Sequence, residues 1–292
     1  MDLLPRICYR CSADANFEEP RMGGTTTDFS ALSGMGFEIE FHSHAQAILS
    51  IDFPDALAQL HSCLTNLTIP IEEIIAGGGG EAKGTQRLRR ALTTAGWLKT
   101  KFEVKKTING RERESISHEI DHVREFAAGN LALEIEWNNK DPFFDRDLEN
   151  FKRLHADGAI SVGIIVTRGR SLHENMRSLV RRFVDERQAQ SFDLLRQWGY
   201  EPTAKQKRAI EARMNRKKNP LTFPEAFVDK FVSDKFGEAT THWRKLNDRV
   251  HRGVGNPCPL VLVGLPDRIV TFNEGKTALD EVLKDEDEDD ED

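Results

Sequence analysis

The chain has 292 residues, 38% of them hydrophobic and 30% charged, which is typical of a globular protein and excludes a disordered or fibrous one. Its four cysteines are too few for a disulfide framework in a chain of this length. No apolar run approaches the roughly 18 residues of a membrane crossing, and Met1–Tyr9 lacks the apolar stretch of a signal peptide, so we expect a cytoplasmic protein with no membrane partner.

The net charge of −7 arises at the end of the chain. Eight of the 48 acidic residues form the run Asp285–Asp292, and the other 40 nearly balance the 41 Lys and Arg residues. Because like charges repel and this run has nothing apolar to bury, we expect residues 285–292 to be a disordered acidic tail. The stretch Arg168–Lys218 carries 14 basic residues against 6 acidic ones. It fits a surface that contacts a polyanion, although ordinary solvated helix faces are the simpler interpretation of charge alone.

Helices are predicted in the first third of the chain. The segments Phe37–Ser50 and Phe53–Leu67 have a helical pattern, and in the second of them apolar residues recur every three or four positions. Pro54 suits the first turn of that second helix. A further helix is predicted over Thr85–Thr94, ending near Gly96.

The pattern changes to β-strand from Lys99 onward. Asn109–Gly110 is the strongest short signal for a hairpin turn. Two more strands are predicted at about Ser115–Val123 and Leu131–Trp137. These segments together predict a β-meander.

The rest of the chain mixes helices and strands. The predicted elements are a helix over Asp145–His155 that ends at Gly158, a strand at Ile160–Thr167 covered on both faces, helices at Leu172–Gln188 and Phe223–Phe236, and a strand at Leu260–Val263. This order predicts an α/β domain. We expect one domain over residues 1–284, with its core at about 37–170 and a basic helical part at about 171–284.

Candidate chemistry lies on the predicted strand Leu131–Trp137. Strand alternation puts Glu134 and Glu136 on one face, about 6–7 Å apart. Two carboxylates on a core-like strand resist ionisation unless a cation or a water-filled cleft lies beside them. Antiparallel pairing could bring Asp121, on the preceding strand, beside Glu134, and three oxygen donors favour Mg²⁺ over zinc. The alternative is that both glutamates lie on the solvent face of an exposed sheet.

These acids also form part of a longer pattern. Asp121 followed by Glu134-x-Glu136 resembles the D…(D/E)xK signature of restriction-endonuclease-like nucleases, with Glu136 in place of the lysine. The neighbouring segments resemble the BglII/BstYI family of type II restriction endonucleases. They are EIEWNNKDPFFDRD at Glu134–Asp147, Asn150-Phe151, Leu154-His155, SVGIIVTR at Ser161–Arg168 and, upstream, His42-Ser43-His44-Ala45, Gly78–Glu81 and Ile120–His122. The resemblance spans about Phe37–Arg170.

The resemblance implies a restriction-endonuclease-like core, in which helices flank a central mixed β-sheet. It also implies a homodimer that cuts a palindromic site in double-stranded DNA and leaves 5′-phosphate ends, with a cognate DNA methyltransferase as functional partner. It suggests a site that contains GATC. Asp121, Glu134 and the carbonyl of Ile135 become the Mg²⁺ ligands. Glu136 resembles the glutamate at this place in BamHI, and it either activates water or binds a second metal ion.

Four further residues lie in the same motif. Asn138 and Asn139 either orient waters on the metal or fix the turn after the strand. Lys140 and Arg146 either contact phosphates or form structural ion pairs. Two other functions remain open, namely a structure-specific nuclease of DNA repair or recombination and a catalytically silent DNA-binding protein with the same fold.

Overall fold

The structure of the protein, a computed structural model, describes residues 29–76 and 82–272. Within these residues, six strands form one mixed sheet in the order β1-β7-β6-β5-β4-β3, and β2 and β8 form a separate parallel pair. The strands are β1 Glu38–His42, β2 Ile69–Pro70, β3 Leu98–Ile108, β4 Arg111–Phe126, β5 Gly129–Glu136, β6 Val162–Arg168, β7 Leu260–Leu265 and β8 Val270–Thr271.

Helices cover both faces of the six-stranded sheet. They are α1 Ser30–Gly34, α2 Ala45–Asp52, α3 Pro54–Thr65, α4 Ile71–Ile75, α5 Lys83–Thr94, α6 Phe143–Ala156, α7 Arg170–Glu186, α8 Phe192–Arg196, α9 Ala204–Met214, α10 Phe223–Lys235 and α11 Trp243–His251, and a 3₁₀ turn spans Asp267–Ile269. One face packs against α2, α3, α5, α7 and α10. The opposite face packs against α6 and α11. The expected fold, a mixed α/β sheet flanked by helices, is confirmed.

The centre of the sheet is parallel and fully covered. Strands β5, β6 and β7 run parallel, whereas β4 and β1 join the two sides of this trio antiparallel. Every residue of β6 is buried, as its continuous apolar run predicts. Side chains alternate between the two cores, so that Leu131 and Leu133 face one core and Ala132 faces the other. The face that holds Ala132 is therefore the face of Glu134 and Glu136.

The predicted hairpin is also present. Strands β3 and β4 are joined at Asn109–Gly110, where both residues have positive φ, 51° and 75°. Such a pair matches the twist of the strands that it connects. The turn allows the long β4 to return beside β3 and to carry Asp121 toward β5.

One predicted helix is partly wrong. Phe37–Ser50 contains the strand Glu38–His42, which pairs antiparallel with β7 at the sheet edge, and the helix begins only at Ala45. The segment Glu38–His42 alternates polar and apolar residues, and all five are partly exposed, as expected for an edge strand. Beyond the predicted elements, the structure also has helices at Phe192–Arg196, Ala204–Met214 and Trp243–His251.

Strand β7 affects the predicted division of the chain. It comes from residues 260–265, yet it lies between β1 and β6 inside the sheet. The expected core at 37–170 therefore leaves out one of the six strands. Of the other expectations, the acidic tail at 285–292 and the segment Gly78–Glu81 lie outside the described residues. None of the described helices has the length and apolar character that a membrane span needs.

Close packing between the sheet and α6 gives a test of this fold. At Gly163 in β6, an added Cβ would lie 2.4 Å from Cδ2 of Phe151. We expect Gly163→Ala to lower the free energy of unfolding by about 1–3 kcal/mol, because the ring cannot retreat from a filled core. Urea unfolding measures the change. In Gly34→Ala, where the added Cβ meets nothing within 4 Å, we expect a change below about 1 kcal/mol. Equal losses in the two variants would contradict this packing.

Candidate active site

The register of the sheet brings Asp121 and Glu134 together. His122 lies opposite Leu133 in the antiparallel pair of β4 and β5, so the next pair outward is Asp121 and Glu134. Their carboxyl groups lie close enough to share a proton. Glu134 is 4% exposed and Glu136 is 2% exposed, whereas Asp121 is exposed. The alternative of an exposed sheet face is therefore wrong for both glutamates.

Burial changes the protonation of the two glutamates. It raises the pKa of Glu134 to about 10, and the charges of Asp147 and Asp121 add to this rise. Burial likewise raises the pKa of Glu136 to about 8, again with a contribution from Asp147. In the absence of a cation, both side chains would hold a proton at neutral pH.

Asp147 is a fourth acid that the sequence reasoning missed. It lies in the first half of α6, is fully buried, and its carboxyl group lies next to that of Glu136. Burial raises the pKa of this carboxyl as well. A signal was present, because Asp147 occupies the helical stripe of Phe144, Leu148 and Phe151, where an apolar residue is expected.

The four acids form two pairs of neighbouring carboxyl groups, Asp121 with Glu134 and Glu136 with Asp147. A carboxylate accepts hydrogen bonds and cannot donate one, so each pair needs one proton or a cation that both oxygens can bind. Oxygen ligands of this kind are those that Mg²⁺ prefers. The donor set therefore fits a hard divalent cation.

Two predicted residues hold Glu136 in place. Asn139 Nδ2 donates to Glu136 Oε2 at 2.8 Å. Arg146 Nη2 lies 3.6 Å from Glu136 Oε1 and 2.8 Å from Asp147 Oδ1. Of the two roles considered for Arg146, the structure has the ion pair. Asn139 connects the turn after β5 to the acid cluster.

Several of the predicted residues line a cavity beside Asp121. Asp121, Ile135, Asn138 and Asn139 line a cavity of about 480 Å³, together with residues of α5 and with Lys99 of β3. Asn138 is exposed, as is Lys140, whose backbone bridges to that of Thr240. The cavity leaves room beside Asp121 for a ligand larger than a metal ion.

A second group of possible metal ligands consists of His173, Glu238 and His242. The two imidazole rings stack with centroids 3.8 Å apart, and His173 Nε2 lies 3.4 Å from Glu238 Oε1. Arg168 Nη1 lies 3.3 Å from His173 Nδ1, and Arg244 binds Glu238. Because the guanidinium of Arg168 lies beside His173 and that of Arg244 lies beside Glu238, a divalent cation would meet repulsion here.

The basic stretch after β6 is largely paired within the helices. Its ion pairs join Arg177 and Arg213 to Asp229, Arg181 to Asp185, Arg182 to Glu186, Arg187 to Glu72, and Arg196 to Asp193. Arg168 is fully buried. Exposed basic residues lie on and after α9, at Lys205, Arg208, Arg216, Lys217 and Lys218. Much of the stretch thus forms ordinary solvated helix faces.

Comparison with known proteins identifies one family. The model of the family described as restriction endonuclease BglII/BglIII matches residues 37–265. The match includes all four acids and every strand of the six-stranded sheet. No curated protein matches the chain.

The raised pKa of Glu134 predicts how stability depends on pH. The carboxyl has an ordinary pKa of 4.5 when unfolded and one of about 10 when folded, so folding takes up a proton at neutral pH. Its stabilising contribution is full below about pH 4.5 and falls as pH rises toward about 10. In metal-free protein we expect Glu134→Gln, which keeps a donor for Asp121, to raise the free energy of unfolding at about pH 8 by about 1–3 kcal/mol.

Urea unfolding from about pH 6 to about pH 9 measures this effect. The expected gain of Glu134→Gln grows with pH. Glu125→Gln, at an exposed position of the neighbouring strand, is the matched control and should stay within about 0.5 kcal/mol of wild type. Parallel pH profiles for wild type and Glu134→Gln would show that Glu134 is ionised in the folded, metal-free protein.

Proposed function

The chain belongs to the restriction endonuclease BglII/BglIII family, and from this premise we propose that it is an Mg²⁺-dependent type II restriction endonuclease. It hydrolyses phosphodiester bonds in a palindromic site of double-stranded DNA and leaves 5′-phosphate ends. The observation that carries the proposal is the pairing of four carboxyl groups, Asp121 with Glu134 and Glu136 with Asp147, beside a cavity that opens to solvent.

Asp121, Glu134 and the carbonyl of Ile135 would hold the metal ion. Mg²⁺ bound there supplies charge neutralisation of the phosphate and a lowered pKa of a bound water. Asp121 is the exposed member of the set, so it meets the substrate side, whereas Glu134 is anchored in the sheet. The sheet therefore holds the metal ligands in place through Glu134, and DNA approaches from the solvent side at Asp121.

Glu136 orients the attacking water and accepts its proton. Its two carboxylate oxygens are held differently, since Oε2 accepts from Asn139 at 2.8 Å and Oε1 lies 3.6 Å from Arg146. The water oxygen forms a bond to phosphorus and the bond to the 3′ oxygen breaks. The 3′ oxygen then takes a proton from solvent. Asn139 positions Glu136, while Asn138 and Lys140 contact the DNA backbone at the mouth of the cavity.

A palindromic site implies two-fold symmetry in the protein. We therefore propose a homodimer in which each subunit cuts one strand. A site that contains GATC and a cognate DNA methyltransferase complete the proposal, both on the strength of the resemblance. Base recognition in the major groove requires side chains that can form paired hydrogen bonds.

Two alternatives predict different products. A structure-specific repair or recombination nuclease of the same fold would cut at junctions or flaps without a sequence preference. A silent DNA-binding protein would bind duplex DNA and leave it intact. The four acids argue against the silent protein, because buried carboxyl pairs are costly to keep without a ligand.

The decisive experiment is the digestion of long unmethylated duplex DNA with and without Mg²⁺, followed by sequencing of the fragment ends. We expect discrete fragments that share one palindromic end and carry 5′ phosphates. EDTA should abolish cleavage, and Glu134→Ala should lower its rate by at least about 100-fold. Glu125→Gln serves again as the control with wild-type activity. Ragged or junction-dependent products would favour the repair nuclease, and binding without cleavage would favour the silent protein.

The proposed dimer is tested by sedimentation of the full chain without DNA. We expect a species of twice the 33.1 kDa of one chain. Dilution through the micromolar range checks whether the assembly is stable. A monomer at every concentration, with two-strand cleavage retained, would contradict the symmetric dimer.

A further inference from the structure

The signature of the restriction-endonuclease-like nucleases has a lysine two positions after the second acid, and this chain has Glu136 there. A cation near the reacting phosphate would stabilise the negative charge that grows during hydrolysis. Arg146, the nearest guanidinium on α6, is bound to Asp147 and Glu136. Its charge is already shared between two carboxyl groups inside the cluster.

Strand β3 offers a second cation through an irregularity in its pairing. Leu98 pairs with Val123 and Thr100 pairs with Ile120. One residue of β3, Lys99, therefore faces two residues of β4, Asp121 and His122. Such a bulge redirects the side chain at that point and is common beside active sites.

The bulge places Lys99 opposite Asp121, beside a cavity that both residues line. Lys99 and Asp121 line the same cavity of about 480 Å³, together with Asn138 and Asn139. The hydrogen bond and charge of Glu119 raise the pKa of Lys99, and the charges of Asp121 and Glu134 also raise it. Lys99 is thus a charged ammonium group within the field of the acid cluster.

The ion pair of Lys99 is one that substrate can replace. Lys99 Nζ lies 2.7 Å from Glu119 Oε1, and the two side chains are 61% and 58% exposed. Exposed pairs of this kind are weak. An ammonium group has three donors on a flexible stem, so it can turn from Glu119 to a phosphate oxygen at little cost.

We propose that Lys99 is a catalytic residue that binds a non-bridging oxygen of the scissile phosphate, supplying from β3 the cation that the signature places at position 136. The proposal rests on the proposed nuclease function. Lys99 neutralises charge as the water oxygen bonds to phosphorus and the bond to the 3′ oxygen breaks. It keeps its proton throughout, because Glu136 receives the proton of the water.

Lys101 provides a matched control on the same strand. Like Lys99, it is exposed and paired with a glutamate: Lys101 Nζ lies 3.2 Å from Glu103 Oε1, and the side chains are 57% and 54% exposed. Lys101 pairs with Glu119 at the backbone and is two residues beyond the bulge. Lys99→Met and Lys101→Met remove the same charge at different distances from Asp121.

The test measures single-turnover cleavage of a duplex that wild type cuts with Mg²⁺, and DNA binding with Ca²⁺ in its place. For Lys99→Met we expect the cleavage rate to fall about 100-fold, with DNA affinity within about 10-fold of wild type. Lys99→Arg should recover part of the rate. Lys101→Met should cleave within about 3-fold of wild type, and thermal unfolding should be the same for all variants.

Each other outcome overturns the proposal. A wild-type rate in Lys99→Met would show that Lys99 does not contact the reacting phosphate. An equal loss in Lys101→Met, or a loss of affinity as large as the loss of rate, would assign Lys99 to general attraction of DNA. If wild type cleaves no DNA with Mg²⁺, the proposed nuclease function fails and the proposal for Lys99 fails with it. If wild type cleaves and Lys99→Met cleaves equally fast, only the proposal for Lys99 fails.

Discussion

The charge of the buried acid cluster constrains the rest of the structure. Two glutamates of β5 enter the core between the sheet and α6, where each meets another carboxyl group, Asp121 or Asp147. Arg146 alone supplies a guanidinium to the pair of Glu136 and Asp147 among the contacts of the described residues. Protons or a divalent cation must balance the remaining charge, since an isolated buried carboxylate is too costly.

Hydrogen bonds of one buried arginine hold together the elements around the cluster. Arg168, at the end of β6, donates to the carbonyl of Trp137 at 2.7 Å, to Thr240 Oγ1 at 2.6 Å and to the carbonyl of Thr241 at 2.7 Å. Burial lowers the pKa of this guanidinium to about 9, a cost offset by these hydrogen bonds. Because Trp137 directly precedes the turn that carries Asn139, Arg168 also fixes the group that orients Glu136.

Local patterns in the sequence predict most of the sheet and three of the four acids. Alternation in β5 predicts the shared face of Glu134 and Glu136, and the hairpin signal predicts the return of β4. Contacts between segments that are far apart in the sequence could not be predicted from these local patterns. Strand β7 enters the sheet beside β6 from about 100 residues farther along the chain, and no periodicity specifies such a neighbour. An acid in the apolar stripe of α6 marks Asp147 as unusual, but only the packing of α6 against the sheet shows that its neighbour is Glu136.

The glutamate at position 136 links the metal requirement to the cation on β3. A lysine there would lie against Asp147 and near Glu134, and its charge would neutralise part of the cluster without any metal ion. A glutamate adds one more negative charge to the same space, so the demand for an external cation grows. With a glutamate at position 136, β5 also has no lysine that could contact the phosphate. Lys99, on a strand that the acid cluster does not occupy, lies opposite Asp121 at the bulge and lines the same cavity, which is the position that its proposed role requires.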